Sequence, residues 1–282
     1  MKTILGIIAS PRKLGNSEIV IKEVATRTGV DHHLKLLRLS DFTIRHCIGC
    51  YRCLFREGGC FQKDDFARVA DALAEADGWI LAAPTYLLGA NAALKNFMDR
   101  GLGLYHLGER LWKKPAVGIS LAGMEGKEGH CKLGVDSFLR LMMAEVRASV
   151  VMYAALPGEV LLSEENRLMV DRLGRALFGE PLPAASPRCP LCGGDTFRFL
   201  GGDQVRCMLC SNAGVLRPGE EGPRFEIEPS GHDLFLCEAD ALSHKQWLQD
   251  MKRRFKEQKE QLKEITLRYR KGGEWIRPAE AE

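Results

Sequence analysis

Four cysteines stand close together between residues 47 and 60. They are separated by two, two and six residues, and Gly58-Gly59 lets the chain turn back before the last of them. The four are Cys47, Cys50, Cys53 and Cys60. Three thiolates at the first spacing can each reach a different corner of a cubane, so one [4Fe–4S] cluster is the favoured interpretation. Zinc, which prefers two separated Cys-x2-Cys pairs, a disulfide, and free or switching thiols are the alternatives.

A second group of cysteines lies in the last third of the chain. Cys189 and Cys192 form one Cys-x2-Cys pair, and Cys207 and Cys210 form another after fourteen residues. The segment TFRFLGGDQVR between them has the length of a β-hairpin with Gly-Gly at its turn. Two such pairs joined by a hairpin are typical of a zinc ribbon, so these thiolates are the predicted ligands of a structural zinc ion. Iron in a rubredoxin-like site is the alternative.

Polar side chains that could hold a phosphate follow the first predicted strand. In the segment ASPRKLGNS, Ser10 and Ser17 supply hydroxyl groups, Asn16 an amide and Arg12 a guanidinium, just before a predicted helix. A helix start also offers free N–H groups, and together these are the donors that a phosphate dianion requires. A plain helix cap formed by Asn16 or Ser17 explains the same residues equally well.

The elements that must position these groups alternate between strands and helices over residues 1–180. Continuously apolar segments of strand length, such as TILGIIAS and GWILAAPTY, are separated by segments of helical periodicity. This pattern predicts an α/β fold with a doubly wound, five-stranded parallel sheet that binds ligands at the carboxyl ends of its strands. Rossmann-like and flavodoxin-like strand orders are both compatible with it. One long helix is expected over CKLGVDSFLRLMMAEVRAS (131–149), followed by a fifth strand over SVVMYAAL (149–156).

The composition changes near residue 180, which predicts further parts. A proline-rich linker is expected at 181–188, the zinc ribbon at 189–217, and a C-terminal extension at 218–282. The extension contains one long charged helix that begins near His244. Its apolar positions are sparse, so a solvated helix that packs one narrow stripe is expected.

The overall composition is that of an ordinary globular protein. Of 282 residues, 45% are hydrophobic and 27% are charged, and the formal net charge is +3. This charge argues neither for nor against an anionic polymer as partner. Nucleic acid is not expected because the basic residues of the C-terminal helix are mixed with acidic ones and the ribbon hairpin has only Arg198 and Arg206. No apolar run reaches the about 18 residues of a membrane span. Grouped cysteines without an export signal predict a reducing, cytoplasmic location. Cys131 and Cys237, outside both groups, are expected to be small buried residues.

Three motifs resemble those of the NADPH-dependent FMN reductase group within the flavodoxin-like superfamily. They are ASPRKLGNS after the first strand, PTYLLGANAALKNFMDR (84–100) after the third, and SLAGMEGKEG (120–129) after the fourth. The resemblance implies a flavodoxin-like fold over residues 1–180 that binds FMN. It places the FMN phosphate on Ser10, Arg12, Asn16 and Ser17. It places the flavin ring on Pro84, Thr85, Tyr86, Leu87, Ala122, Gly123 and Met124.

The cysteine loop, followed by Asp64 and Asp65, resembles that of the iron–sulfur flavoproteins of anaerobic microbes. The six-residue gap before Cys60 is a small departure, and the ribbon half is a larger one, because typical members end near the flavodoxin domain. The resemblance implies that the cluster of one subunit lies near the FMN of another, and hence a homodimer or homotetramer. It also implies electron transfer in which the cluster passes single electrons while FMN stores two.

Three functions follow. The favoured one is a cytoplasmic FMN-dependent oxidoreductase that moves electrons between FMN and a one-electron partner such as a ferredoxin through the [4Fe–4S] cluster. The second is a nicotinamide-dependent FMN reductase of quinones, nitro compounds or azo compounds without a cluster. The third is a redox-sensing binding protein whose ribbon contacts a partner. No catalytic acid or base is predicted, and Lys95 and Asp99 are expected to form a surface pair.

Overall fold

The computed structural model of the protein describes residues 1–183, 187–220, 222–270, 273–274 and 276. Residues 184–186 of the predicted linker and most positions of the predicted extension after residue 270 lie outside the described residues. The first half of the chain contains, in order, β1 (Lys2–Ile8), α1 (Asn16–Thr26), β2 (His32–Arg38), α2 (Phe66–Glu75), β3 (Gly78–Tyr86), β4 (Gly89–Ala90), α3 (Ala92–Met98), α4 (Gly108–Leu111), β5 (Pro115–Ala122), α5 (Cys131–Leu141), β6 (Glu145–Tyr153) and α6 (Glu164–Phe178).

A parallel sheet organises this half in the order β2-β1-β3-β5-β6, and the short β4 pairs antiparallel with the end of β3. With β4 set aside, this is the 2-1-3-4-5 order of flavodoxin-like folds, which confirms the predicted fold class. The loops after β1, β2, β3 and β5 leave the carboxyl edge of the sheet. The predicted phosphate loop, cysteine loop and flavin loops are these loops.

Two hydrophobic cores hold the sheet between its helices. On one face, Trp79 and Phe97 are fully buried among α2, α3 and α5, and the Trp79 indole N–H donates to the Leu73 carbonyl at 3.1 Å. On the other face, Ile4 and Ile80 pack against α1 and α6. Successive residues of a strand point to opposite faces, so each central strand contributes to both cores. A strand that contributes side chains to both cores needs consecutive apolar residues. This is the sequence pattern from which these strands were predicted.

The helix expected over 131–149 is shorter than predicted. α5 ends at Leu141, Met143 has a φ of +60°, and the chain enters β6 at Glu145. Residues 145–149 pair in parallel with β5 instead, starting with Glu145 beside Pro115. Short apolar segments fit helical and strand periodicity alike, and here the pairing with β5 decides between them.

A four-stranded antiparallel sheet follows the linker. Its strands are β7 (Phe197–Gly201), β8 (Gln204–Cys207), β9 (Ala213–Arg217) and β10 (Arg224–Ile227), in the order β10-β9-β8-β7. The predicted hairpin is β7–β8, and Gly201 and Gly202 at its turn both have positive φ. The sheet continues past residue 217, the expected end of the ribbon, because β10 pairs with β9.

The charged segment after the ribbon folds into α7 (Glu238–Glu257) and α8 (Lys259–Arg268), which are separated at Gln258. α7 begins earlier than predicted because Cys237 and Asp240 form a capping box, so the expectation that Cys237 is buried is wrong. Ala241 of α7 is buried, whereas α8 has no buried residue in the part that the structure describes. No helix among the described residues has the length and apolarity to cross a membrane.

Candidate functional site

The loop after β1 forms a cradle of polar groups. Ser10 and Ser17 are buried, Arg12 is exposed, and the Ser10 hydroxyl accepts a hydrogen bond from the Arg12 N–H at 3.2 Å. Gly15 precedes α1, and no side chain caps the helix, so the alternative of a cap made by Asn16 or Ser17 is wrong. Within the described chain, the N–H groups of Asn16 and Ser17 have no hydrogen-bond partner. These N–H groups are available to an anion.

The Asn16 side chain is engaged by the loop after β6. Its amide donates to the carbonyls of Ala154 at 3.3 Å and Leu156 at 2.9 Å, and its oxygen accepts from the Gly158 N–H at 2.9 Å. Both amide hydrogens are used in these bonds. Asn16, one of the predicted phosphate residues, thus links the loop after β1 to the loop after β6.

A buried ion pair that the sequence analysis missed fixes the cradle. Arg38, at the end of β2, donates to the carbonyls of Ser10 at 3.3 Å and Arg12 at 2.8 Å. It also forms a 2.7 Å ion pair with Glu18 in the first turn of α1. The two side chains are only 11% and 8% exposed, so water screens their attraction weakly.

Glu18 holds the middle of the loop as well. Its carboxylate accepts from the Leu14 N–H at 2.9 Å and pairs with Lys22 at 2.6 Å. Lys22, with help from Arg38, outweighs the cost of burial and lowers the pKa of Glu18 to about 2. Leu14 has a φ of +51°, a strained conformation for a leucine, and the Glu18 bond is the contact that stabilises it.

The loops after β3 and β5 lie side by side because these strands pair, with Pro84 beside Leu121. Further along, the His130 N–H donates to the Leu88 carbonyl at 2.7 Å. Gly129 has a positive φ, and a side chain there would overlap Leu88, so only glycine permits this close approach. The loops carry exposed apolar side chains, namely Tyr86, Leu87, Leu88 and Met124.

Three buried polar atoms near these loops lack partners among the described residues. They are Thr85 Oγ1, Asn91 Oδ1 and Ser120 Oγ. The Asn91 amide donates to the Ala9 carbonyl, directly before Ser10, so Asn91 lies beneath the cradle. A buried polar atom without a partner costs about 1–3 kcal/mol, which a bound polar ligand can recover. Free helix N–H groups, an exposed guanidinium and these orphaned atoms fit a phosphorylated cofactor such as FMN.

The first cysteine group surrounds a cavity of about 160 Å³ in the long loop after β2. Cys47 and Cys50 are exposed, whereas Cys53 and Cys60 are half-buried. Burial, with the nearby thiols, raises the pKa of Cys53. Gly59 has a φ of +67°, and a side chain there would overlap the Gly103 carbonyl, so this glycine lets the loop close against the protein. The four thiols share one space, as a cluster requires.

Arg100 lies on the wall of this cavity. Its side chain and that of Asp64 are each 1% exposed and form an ion pair. Arg100 also donates to the Arg45 carbonyl at 3.3 Å, and its guanidinium lies 4.4 Å from the Phe66 ring centroid. Burial opposes its charge, but Asp64 and Cys60 outweigh that effect and raise the pKa of Arg100. Its Nε and Nη2 atoms lack hydrogen-bond partners in the described chain.

α7, which is far from the cysteine loop in sequence, contacts that loop in the structure. The Gln249 amide donates to the Leu54 carbonyl at 2.7 Å, within the short 3₁₀ turn Arg52–Phe55 that carries Cys53. The Lys252 ammonium lies 4.7 Å from the Phe55 ring centroid. The C-terminal extension therefore supports the loop that carries the first cysteine group.

The second cysteine group converges on one point. The four sulfurs lie within 4.8 Å of one another, with 3.8 Å between Cys189 and Cys210 and 3.5 Å between Cys192 and Cys207. Three of the four residues are buried, and the Gly194 N–H donates to the Cys192 sulfur at 3.4 Å. Among the described residues, this is the group whose donor atoms are close enough for a single ion. Four converging thiols fit a tetrahedral metal ion such as zinc.

Residues 2–156, more than half of the chain, match the NADPH-dependent FMN reductase family. The protein belongs to this family. The predicted resemblance is thereby confirmed, and the chain is an FMN-dependent oxidoreductase.

Several proteins similar to this FMN reductase family member are named iron–sulfur flavoproteins. An iron–sulfur flavoprotein of Archaeoglobus fulgidus is 30% identical over 174 residues, which cover 60% of this chain and 76% of that protein. An iron–sulfur flavoprotein of Methanocaldococcus jannaschii is 34% identical over 124 residues, which cover 43% of this chain and 64% of that protein. A solved flavone reductase has a TM-score of 0.75 at 18% identity and covers 98% of this chain and 100% of that one. That likeness shows a shared fold that extends beyond the sheet domain.

The structure thus gathers the predicted residues of this FMN reductase family member into three places. The predicted phosphate and flavin residues lie at the carboxyl edge of the sheet, in the last residues of β3 and β5, in the loops after β1, β3 and β5, and at the start of α1. Each cysteine group is assembled locally. Sequence reasoning missed Glu18, Arg38, Asn91 and Arg100. Arg100 closes the second motif, and Glu18 stands in the first turn of a helix, so each offered a weak signal.

Proposed function

We propose that this FMN-dependent oxidoreductase exchanges single electrons with its partner through a [4Fe–4S] cluster held by Cys47, Cys50, Cys53 and Cys60. The observation that carries the proposal is that these thiols surround one cavity whose wall holds a buried guanidinium with unpaired donors. An Fe–S cluster with four thiolate ligands is anionic, so this positive wall suits it. When bound, the cluster supplies one-electron steps and FMN supplies a two-electron store.

The phosphate of FMN is assigned to the cradle after β1. Ser10, Arg12, Ser17 and the free N–H groups of α1 would hold it, while Asn16 and the Arg38–Glu18 pair keep the cradle in shape. The flavin ring is assigned to the loops after β3 and β5. The residues there are Pro84, Thr85, Tyr86, Leu87, Ala122, Gly123 and Met124.

The ribbon is assigned a structural zinc ion on Cys189, Cys192, Cys207 and Cys210. The ribbon is docked on α5, because Arg140 donates to the Cys192 carbonyl at 2.8 Å and Lys132 pairs with Asp195 at 2.9 Å. A closed set of four cysteines leaves no open position for a substrate, which favours a structural role.

Exposed apolar side chains on the cysteine loop and on the flavin loop support the proposed subunit assembly. Ile48, Tyr51 and Phe55 of the cysteine loop are exposed, as are Tyr86 and Leu87 of the flavin loop. In a homodimer or homotetramer these apolar loops would cover each other and bring the cluster of one subunit near the FMN of the next. A ferredoxin or a nicotinamide nucleotide is the proposed redox partner, and a cytoplasmic location stays a prediction.

An anaerobic reductive titration tests the electron-transfer proposal. Sub-stoichiometric reductant should give an electron paramagnetic resonance signal from the cluster together with bleaching of the flavin absorbance. In Cys50→Ser, the flavin should still bleach while the cluster signal is lost. A wild-type protein whose flavin bleaches with no iron–sulfur signal at any stage contradicts the proposal.

A second candidate function is reduction of a flat apolar molecule, such as a quinone, directly by the flavin. The observation in its favour is the full exposure of Leu87 beside the half-exposed Tyr86 at the flavin loop, a surface on which an aromatic acceptor could stack. Steady-state rates of NADPH oxidation with a benzoquinone and with a one-electron protein acceptor separate the two functions. The second function predicts that Cys50→Ser reduces the quinone at the wild-type rate. The first predicts that Cys50→Ser no longer reduces the protein acceptor.

A further inference from the structure

We propose that Arg100 sets the reduction potential of the cluster by holding a fixed positive charge against it. This inference rests on the proposed function, because it concerns the cluster assigned to the cysteine loop. In this account Arg100 would contact the cluster with its N–H groups but is not one of its ligands.

Arg100 has more buried hydrogen-bond donors than the described residues satisfy. A guanidinium has five N–H donors. Nη1 donates hydrogen bonds to the Asp64 carboxylate and to the Arg45 carbonyl. The three N–H groups on Nε and Nη2 have no hydrogen-bond partner in the described chain. Leaving buried donors unpaired costs about 1–3 kcal/mol for each group, so a purely structural ion pair is a poor explanation. Sulfur atoms of a bound cluster would satisfy them.

Arg100 also brings a buried positive charge to the wall of the cavity. Asp64 is buried with Arg100 and also accepts N–H groups from Arg45 at 2.9 Å and Phe66 at 3.2 Å, so it holds the guanidinium in place. Asp99, which also lines the cavity, is half-exposed and paired with Lys95, as predicted. Arg100 is thus the deeply buried cation on this wall. A buried cation favours the addition of an electron to an anionic cluster beside it. The protein interior has a low dielectric constant, so the attraction between the two charges is screened weakly.

The test is a redox titration of holoprotein followed by electron paramagnetic resonance, with iron and sulfide counted first in every sample. In Arg100→Gln, the equilibrium constant for cluster reduction should fall about tenfold, which is about 59 mV for a one-electron couple. Arg100→Lys keeps the charge and should shift the constant much less. Lys95→Gln, which removes the same charge from the exposed side of the same segment, is the matched control and should leave the constant close to wild type.

Several outcomes are decisive. Arg100→Gln with full iron and an unchanged potential overturns the inference, and so does a Lys95→Gln shift as large as that of Arg100→Gln. If Arg100→Gln does not retain the cluster, the double variant Asp64→Asn/Arg100→Gln, which leaves no unpaired buried carboxylate, should retain it. Its potential should be lowered by less than in the single variant, because Asp64, which does not line the cavity, takes a negative charge away as well. A wild-type protein without iron contradicts the proposed function itself, which the iron count reveals before any potential is measured.

Discussion

The two cysteine groups have the same number of thiols but are built differently. The ribbon group is largely buried, lies beside an antiparallel sheet that carries Cys207, and converges to within 4.8 Å. The loop group is half exposed, lies on irregular backbone and surrounds a cavity. A closed, preformed set suits an ion that stabilises the fold. An open set around a space suits a larger redox group that must be reached by a partner.

The comparison also shows two ways to hold a loop. The ribbon sulfurs lie at the end of β8 and on turns that flank the antiparallel sheet, whereas the cysteine loop and the phosphate loop each depend on a buried arginine–carboxylate pair. These pairs are Arg100 with Asp64 and Arg38 with Glu18. Removing one partner of such a pair leaves an uncompensated buried charge, so the loops should be sensitive to single substitutions.

The largest effect is expected for Cys207→Ser in the ribbon. Cys207 is fully buried, and in small metal domains zinc binding contributes on the order of 10 kcal/mol to folding. Zinc should be lost almost completely, and trypsin should cleave within β7–β8 while the sheet domain keeps its FMN. Zinc analysis with limited proteolysis measures this. A variant that retains full zinc and protease resistance would show that the ribbon does not depend on its metal.

Cys50→Ser in the loop should give the opposite combination. Cys50 is exposed and supports no core, so the unfolding temperature should change little. Iron should fall to less than about half of wild type because a cluster ligand is removed. Iron and zinc content with calorimetry measures this, and loss of zinc together with iron would mean that the two groups are not independent.

The phosphate loop should open in acid. The Glu18 carboxyl has a pKa of about 2 in the folded protein against 4.5 when unperturbed, so its contribution is complete above about pH 5 and is lost as the pH falls toward 2. That contribution is about 3 kcal/mol, which is roughly a two-hundredfold change in FMN affinity if the cradle must be closed. Fluorescence of released FMN measures it. Glu18→Gln should bind FMN weakly at neutral pH and lose this acid dependence, and an unchanged acid profile in the variant contradicts the assignment.

The smallest effect is expected for Gln249→Ala in α7. Loss of the hydrogen bond to Leu54 should cost about 1 kcal/mol and loosen the turn that carries Cys53. The cluster should then lose iron in air about two to five times faster, as followed by its visible absorbance. Gln246→Ala, which removes a longer, exposed bond to Asp250, is the control. Equal rates in both variants would mean that α7 does not support the loop.

The strands of the sheet and both cysteine groups were predictable because their signals are local. The order of the strands was not, since the apolar runs left Rossmann-like and flavodoxin-like orders open and only the family resemblance implied the second. Each strand is a continuous apolar run, and each ligand pair is set by spacing over a few residues. The boundary between α5 and β6 was not predictable in the same way, since residues 145–149 become a strand only through pairing with β5. Tertiary contact decided that case.

The supports of the site were the part that the sequence did not reveal. Arg38 and Glu18 are twenty residues apart in sequence and meet only because β2 lies beside β1. Arg100 and Asp64 are thirty-six residues apart and meet through α3 and the end of the cysteine loop. An arginine in a motif looks the same in sequence whether it is exposed or 1% exposed. Burial, which gives these charges their effect, is a property of the packed structure.

The most direct measurement is the iron, sulfide, zinc and FMN content of one sample prepared without oxygen. The account predicts about four iron, four sulfide, one zinc and one FMN per chain. Two zinc ions with no iron or sulfide per chain would contradict it, because the cysteine loop would then be a second structural site.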